Sequence, residues 1–255
     1  MDESELTLVV PGRTTPAGAG WDWIVGGWRL FTRAWLMWVI SIVIVIVLAV
    51  VINIVPIIGS IAFQLLQGVL AGGFMVACRS LESGGEFELE HLFAGFKRQF
   101  AQLVLVGVIL LAGWIVIFLV FAGFIGFSIL GALIAGNVEN ITAALLGSGL
   151  SILLGVLVML ALMVPLLAAY WFAPALVVLN GMSAPAAMKA SLAACMRNFL
   201  PFLVYGIIMT VLAFIAMLPF GLGFFAWVPV AIASTYVAYR QIFTADEPAT
   251  AVNPA

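Results

Sequence analysis

Long apolar runs alternate along the chain with short polar or Pro/Gly-bearing breaks. Read against those breaks, the runs predict six helices, at about 35–57, 59–81, 101–126, 144–170, 199–218 and 222–243. Each is long enough, at about 1.5 Å per residue, to cross a hydrocarbon core about 30 Å thick. The runs are continuously apolar and lack the two-residue alternation of a membrane β-barrel. "NIVPIIGS" (53–60) and "LPFGLG" (218–223) are tight turns that leave room only for a hairpin between adjacent spans. The third run is apolar from Leu103 to Ala135, about 50 Å as a single helix. A break or tilt is therefore expected near "GFIGFSILGALIAG" (123–136), before the polar loop "NVENIT" (137–142).

Composition turns six long helices into a statement about solvent. The 255 residues are 65% hydrophobic and 8% charged, whereas a soluble domain carries roughly a quarter charged residues to cover its surface. The expected fold is all-α: a polytopic integral membrane protein whose six transmembrane helices form three hairpins. Residues 20–243 make one six-span domain. Residues 1–19 are acidic, then Pro/Gly/Thr-rich, without the apolar segment of a cleavable signal. They and residues 244–255 are expected to be disordered cytoplasmic tails. The formal net charge of −2 supplies no basic field for nucleic acid.

The position of charge predicts orientation. The basic residues are Arg13, Arg29, Arg33, Arg79, Lys97, Arg98, Lys189, Arg197 and Arg240. With six spans all of them fall on the side of the two termini and the 80–100 and 181–198 loops. The opposite loops have none. By the positive-inside rule both termini are cytoplasmic, in a bacterial inner membrane.

A layout recurs three times: an amphipathic stretch, a basic residue, one further position, an aromatic residue, then a span. The landmarks are Arg33-x-Trp35, Arg98-x-Phe100 and Arg197-x-Phe199. The first and third hairpins also end alike, in "VACRS" (76–80) and "VAYRQ" (237–241), while the middle unit ends in "AAYWFAPALVVLNG" (168–181) without a matching arginine. The expected units, about 20–82, 87–180 and 183–243, each open with an interfacial amphipathic helix.

In the first stretch Trp21, Ile24, Val25, Trp28, Phe31 and Trp35 share one helical face, with Asp22, Arg29 and Arg33 off it. Indoles on one side and arginines on another suit a helix lying at headgroup depth. The second, "FELEHLFAGFKRQF" (87–100), places Glu88 and Glu90 at its start and Lys97 and Arg98 at its end, in the sense the helix dipole favours. The third opens with Ser183 as N-cap and Pro185 in the first turn. Together they form a cytoplasmic collar whose candidate contacts to anionic lipid headgroups are Arg29, Arg33, Lys97, Arg98, Lys189 and Arg197.

The interior is chemically quiet. No predicted span carries Asp, Glu, Lys, Arg or His at its middle, where proton relays and ion pathways keep such groups. The candidate intramembrane polar cluster is Asn53, Gln64 and Gln67, beside the close-packing "GVLAG" (68–72), with Ser128, Ser148, Ser151, Thr210, Ser234 and Thr235 as further polar positions. Pro165 and Pro174 are expected to kink the fourth span and its extension. Cys78 and Cys195, each near an arginine at a cytoplasmic helix end, are expected as free thiols. His91 has no second imidazole or cysteine at ligand spacing, and neither a metal nor any cofactor is expected. Phosphate loops, nucleophile elbows and zinc-protease signatures are missing. The chain is thus expected not to be an enzyme, with Glu88, Glu90 and His91 as the residues that would carry cytoplasmic chemistry if it were one.

At "GWDWIVGGWRLF", "LEHLFAGFKRQF", "YWFAPALVVLNG" and "RNFLPFLVYG" the sequence resembles a family of uncharacterised proteobacterial inner-membrane proteins, over about residues 18–243. It is more distantly similar to the membrane domain found beside some glycerophosphodiester phosphodiesterases. That catalytic domain does not occur within these 255 residues, so the resemblance implies the membrane and the six-span layout but no activity. The expected role is a non-catalytic accessory, assembly or membrane-organising factor that contacts lipids, other inner-membrane proteins or its own copies. The alternative is a passive or lipid-handling transporter with a small polar cleft between hairpins.

Overall fold

The structure is a computed structural model that describes residues 8–134 and 149–244. Apart from one isolated bridge between Leu8 and Thr244, the regular elements described are all helices. In chain order they are α1 (Ala19–Arg33), α2 (Trp35–Ile52), α3 (Ile58–Glu82), α4 (Leu89–Leu92), α5 (Ala94–Lys97) and α6 (Phe100–Ile134). Then come α7 (Gly149–Trp171), α8 (Ala173–Asn180), α9 (Ala184–Arg197), α10 (Phe199–Met217) and α11 (Phe224–Phe243).

Five segments among the described residues are long and apolar enough to cross a membrane: α2, α3, Phe100–Phe127, Ser151–Asn180 (α7 carried through a kink into α8) and α10. This chain is a multi-pass membrane protein. The expected sixth span, α11, has 20 residues, about 30 Å, but falls outside that apolarity. Its second half carries Ser234, Thr235, Tyr236, Tyr239, Arg240 and Gln241. The reason lies in its surroundings: α11 packs against α1, α2, α3 and α10, so much of its surface meets protein instead of lipid.

The three Arg-x-aromatic landmarks all fall where one helix ends and the next begins. Ala34 separates α1 from α2, Gln99 (φ 54°) precedes α6, and Asn198 separates α9 from α10. Elsewhere the structure corrects the expected elements. No break occurs between residues 123 and 134, because α6 runs as one helix of 35 residues to Ile134. At about 52 Å it exceeds the hydrocarbon core. Beyond the buried Ile117 its support in the bundle comes from α7, with Gly155 packed against Phe121 and Phe124. The loop 137–142 lies outside the described residues.

The stretch 87–100 is not one amphipathic helix but two four-residue helices joined at Phe93. Close approach to α3 decides this: a β-carbon on Gly73 would sit 2.8 Å from the His91 carbonyl oxygen, and one on Gly95 3.0 Å from the Val69 backbone. Gly73 and Gly95 thus let the segment dock backbone against backbone, at the expense of helical continuity.

Residues 8–18, expected as part of a disordered tail, are held in place. Val9 N–H donates to the Phe243 carbonyl and Arg13 N–H to that of Ile242, both at 2.8 Å. Asn198, 1% exposed, uses its whole amide: Oδ1 accepts from Thr15 N–H (2.7 Å) and Thr15 Oγ1–H (2.9 Å), while Nδ2 donates to the Arg13 and Ala194 carbonyls. The Pro/Gly/Thr composition that resembles disorder is here a segment whose backbone finds partners in another part of the chain. Of the C-terminal tail, only Thr244 is described.

Helix α1 is docked. Its buried face is Gly20, Trp23, Ile24, Gly27, Leu30 and Phe31. That face shares Ile24 and Phe31 with the expected stripe and adds Trp23, 1% exposed, while the stripe's Trp21 and Trp28 are 53% and 51% exposed. A β-carbon on Gly27 would meet the Val230 carbonyl oxygen and the Ser234 nitrogen at 2.8 Å, so only glycine lets α1 rest on α11. We predict that Gly27→Leu lowers the unfolding temperature sharply in mild detergent, losing about 3 kcal/mol or more through overpacking against backbone. Gly206→Ala, where the added carbon meets nothing within 4 Å, is expected to be neutral or stabilising by about 0.5–1 kcal/mol. Equal melting temperatures for the two variants would contradict the docked position of α1.

Candidate functional site

Two recesses and one polar knot hold the chemistry. The first recess is a groove of about 550 Å³ between α10 and α11, roofed by the outward face of α1. Trp21, Ile24, Val25 and Trp28 form the roof, and Leu212 and Trp227 belong to the walls. Trp227 is fixed because its indole N–H donates to the Met209 carbonyl at 2.9 Å. Among the described residues no charged side chain lines the groove. The apolar stripe expected on α1 thus exists in Trp21, Ile24, Val25 and Trp28, and it overhangs a cleft, while Trp23 turns to the opposite side. There Trp23 packs on Phe202 (5.1 Å between ring centroids) and Tyr205, and its N–H donates to Gln241 Oε1 at 2.6 Å.

The second recess, about 500 Å³, lies where the second helices of the three expected units meet: α3, the α7–α8 junction and α11, with α2 at its side. One polar side chain comes from each: Gln67 from α3, Tyr170 from α7 and Thr235 from α11. Phe63, Phe74, Leu167 and Trp171 contribute apolar wall, and again no charged side chain among the described residues lines it. Phe74 is braced by Trp38, stacked on it at 5.5 Å with an interplanar angle of 4°, while the Trp38 N–H donates to the Leu30 carbonyl.

The wall at Trp171 exists because the helix breaks there. Pro174 brings no N–H to the Tyr170 carbonyl, and Phe172 separates α7 from α8. Ser191 on α9 repairs the break, accepting from Phe172 N–H (2.9 Å) and donating to the Ala168 carbonyl (2.6 Å), and it is fully buried. Pro174 therefore marks a kink as expected. Pro165 lies inside the continuous α7.

The knot joins the ends of α3 and α11, the "VACRS" and "VAYRQ" segments. Arg240 Nε lies 2.9 Å from Glu82 Oε2. Its N–H is not aimed along that line, so this contact is an ion pair without a formed hydrogen bond, and Arg240 Nη1 is buried with no hydrogen-bond partner among the described residues. The same Glu82 oxygen accepts from the Tyr236 hydroxyl at 2.6 Å. Tyr239 donates to Asn180 Oδ1 at 2.5 Å, which brings α8 into the knot, and Arg33 Nη1 donates to the Leu81 carbonyl at 3.1 Å.

The six expected headgroup contacts divide. Arg33 is engaged with the end of α3, and Lys97 is paired with Glu90, whose carboxyl is held below its ordinary value by that neighbouring ammonium. Arg29, Arg98, Lys189 and Arg197 are exposed, with no ion pair among the described residues. The intramembrane trio does not converge. Asn53 closes the α2–α3 turn, donating to the Ala49 carbonyl and accepting from the Ser60 hydroxyl at 2.8 Å each. Gln64 lies where α6 crosses α3 at Gly107, and only Gln67 lines the central cavity. His91 serves its own helix, since its Nδ1 accepts from the Glu88 N–H at 3.1 Å in a capping box. Ser183 occupies the N-cap position of α9 without a side-chain bond, and Gln102 Oε1 takes the Ala184 N–H in its place.

Sequence reading missed Glu82, Ser191 and Asn198. Only Asn198 had a signal, as the unassigned position of the third landmark. Ser191 and Glu82 act on groups far along the chain, which periodicity does not register.

A chain 29% identical to this one is found in Burkholderia thailandensis, where it is described as a probable inner membrane protein. The similarity covers 91% of this chain and 93% of that relative. Neither a protein-family model nor a solved structure matches the chain.

Both cysteines are free and buried. Burial pushes the Cys195 thiol up to about 12, so almost no thiolate is present at neutral pH. Iodoacetamide at pH 7.5 is expected to label neither cysteine in mild detergent and both after denaturation. Rapid labelling of Cys195 in the folded protein would show that α9 is not packed against α7 as described.

Proposed function

We propose that this is a non-catalytic inner-membrane protein that organises its surroundings by binding lipids, with both termini in the cytoplasm. The observation that carries the reading is α1. It is docked across α10 and α11 through glycines, it turns Trp21 and Trp28 over an apolar groove, and it leaves Arg29 exposed on the adjoining face. An amphipathic helix so placed seats its rings at headgroup depth, leaves an acyl chain the groove beneath, and offers a cation to a phosphate beside it. Arg98, Lys189 and Arg197 extend the same chemistry to the other two landmarks. The non-catalytic part is supported by what the cytoplasmic candidates do: His91 and Glu88 cap α4, and Glu90 pairs with Lys97.

The orientation is supported by charge and by contact. The predicted asymmetry of basic residues places both ends on one side, and the bonds from Val9 and Arg13 to the last turn of α11 bring the two ends together. That pairing is compatible with an even number of crossings, so α11 counts as the sixth span in this reading. Passive or lipid-handling transport is the second reading, favoured by the polar group that Gln67 brings to the central cavity.

Purification in mild detergent is expected to retain anionic phospholipid, and Arg29→Gln with Arg197→Gln to lower that retention about thirtyfold, at about 1 kcal/mol per cation. A preparation with no enriched phospholipid, or one indifferent to the two substitutions, would count against the lipid role. A fluorescent reporter that matures only in the cytoplasm is expected to be active at the C-terminus, and an inactive one would overturn the orientation.

A further inference from the structure

The central cavity makes a separate demand. Its volume of about 500 Å³ exceeds that of any ordered water many times over, and its walls are mostly hydrocarbon and aromatic. The recess opens on the side of the bundle, where Gln67, Leu167 and Trp171 are exposed, and in a membrane-spanning protein such an opening meets acyl chains, which offer no hydrogen bond. The Gln67 side-chain amide, exposed at the mouth of the recess, and the half-buried Tyr170 hydroxyl have no hydrogen-bond partner among the described residues. Thr235 differs, because its hydroxyl donates back to the Ala231 carbonyl at 3.1 Å. An amide and a phenol left unpaired in an apolar setting each cost free energy that a ligand's polar end would recover. A charged end group would meet no counter-charge, since no Asp, Glu, Lys, Arg or His among the described residues lines the space.

We propose that this cavity binds an uncharged amphiphile. Its carbonyl or hydroxyl end pairs with Gln67 and Tyr170, and its apolar body lies against Phe63, Phe74 and Trp171. The kink at Phe172, held by Ser191, keeps Tyr170 and Trp171 facing α3. The site is distinct from the α1 groove in its walls, and in selecting against charge where the groove's rim selects for it. Two sources share the required chemistry, a neutral acylglycerol and a polyprenyl alcohol, and the test separates them.

The full chain, in lipid nanodiscs, is illuminated with one of three diazirine-bearing probes: a monoacylglycerol, a prenyl alcohol or a phosphatidylglycerol. Labelled peptides are then identified by mass spectrometry. One or both neutral probes are expected to label Phe63–Met75 and Leu167–Ala175, and whichever does so names the source. Labelling there should fall about five- to tenfold in Gln67→Leu, the loss of one hydrogen bond, and further in Ala71→Trp, which fills the space. Labelling around Trp21 and Trp28 should persist in both variants, which reports that the fold and the α1 groove are intact. The proposal is overturned by labelling spread evenly over lipid-facing helices. It is equally overturned by a phosphatidylglycerol probe as effective as the neutral ones, or by central labelling that survives Ala71→Trp. Loss of labelling at α1 alone would count against the groove and leave the central site standing.

Discussion

The arrangement at the cation-bearing end of the bundle depends on how closely α1 approaches α11. Gly27 brings its backbone against Val230 and Ser234 of α11, Gly26 brings it against the Val237 side chain, and Gly20 seats the start of the helix on Pro201 of α10. In a bilayer the hydrophobic effect does little to hold helices together, so this contact must come from close packing and hydrogen bonds. Trp23 fills the space on one side of the crossing and bonds to Gln241, while Trp21 and Trp28 stay on the other. One set of glycines therefore decides both which indoles become core and which become the roof of a groove. The landmark junction at Ala34, the bond from Arg33 to Leu81 and the stacking of Trp38 on Phe74 follow from where α1 ends.

A second constraint shapes the centre. In hydrocarbon a freed backbone group must find a partner within the protein, and the break at Phe172 frees several. Ser191 satisfies the nearest ones from a different helix, which allows α7 to bend into α8 without leaving polar groups exposed to lipid. The bend gives the cavity a wall of Tyr170 and Trp171. The knot of Glu82, Arg240 and Tyr236 then closes the same helices beyond the cavity, where α3 and α11 end.

Much of this was legible in the chain. The helical class, the membrane setting, the spans at 59–81, 101–126 and 199–218 to within a few residues and the positions of the two tight turns follow from run length and breakers. The Arg-x-aromatic landmarks mark helix junctions because a cation and a ring both favour the interface where the chain turns into the bilayer. Less legible were features that depend on a partner. One apolar stripe was read on α1 and Trp23 was left unplaced, because two apolar faces exist on that helix, one turned into the bundle and one outward, and hydropathy does not distinguish them. Residues 87–100 read as one helix because the charge order suits one, whereas docking at Gly73 and Gly95 divides it. The 8–18 segment read as a tail because its composition is turn-like, and Asn198 lies too far along the chain to reveal itself.

Among the polar residues the division is sharpest. Asn53, Gln64 and Gln67 share a short stretch, and spacing suggested one cluster. The tertiary structure gave the first to a turn, the second to a helix crossing and the third to a cavity whose other polar groups, Tyr170 and Thr235, come from distant parts of the chain. By itself the sequence determined solvent, element type and the side on which charge gathers, since these depend on local composition and the free energy of transfer into lipid. Only the tertiary structure decided which residues face one another. Close packing between helices is set by the shape of both partners at once, and no single segment carries that information.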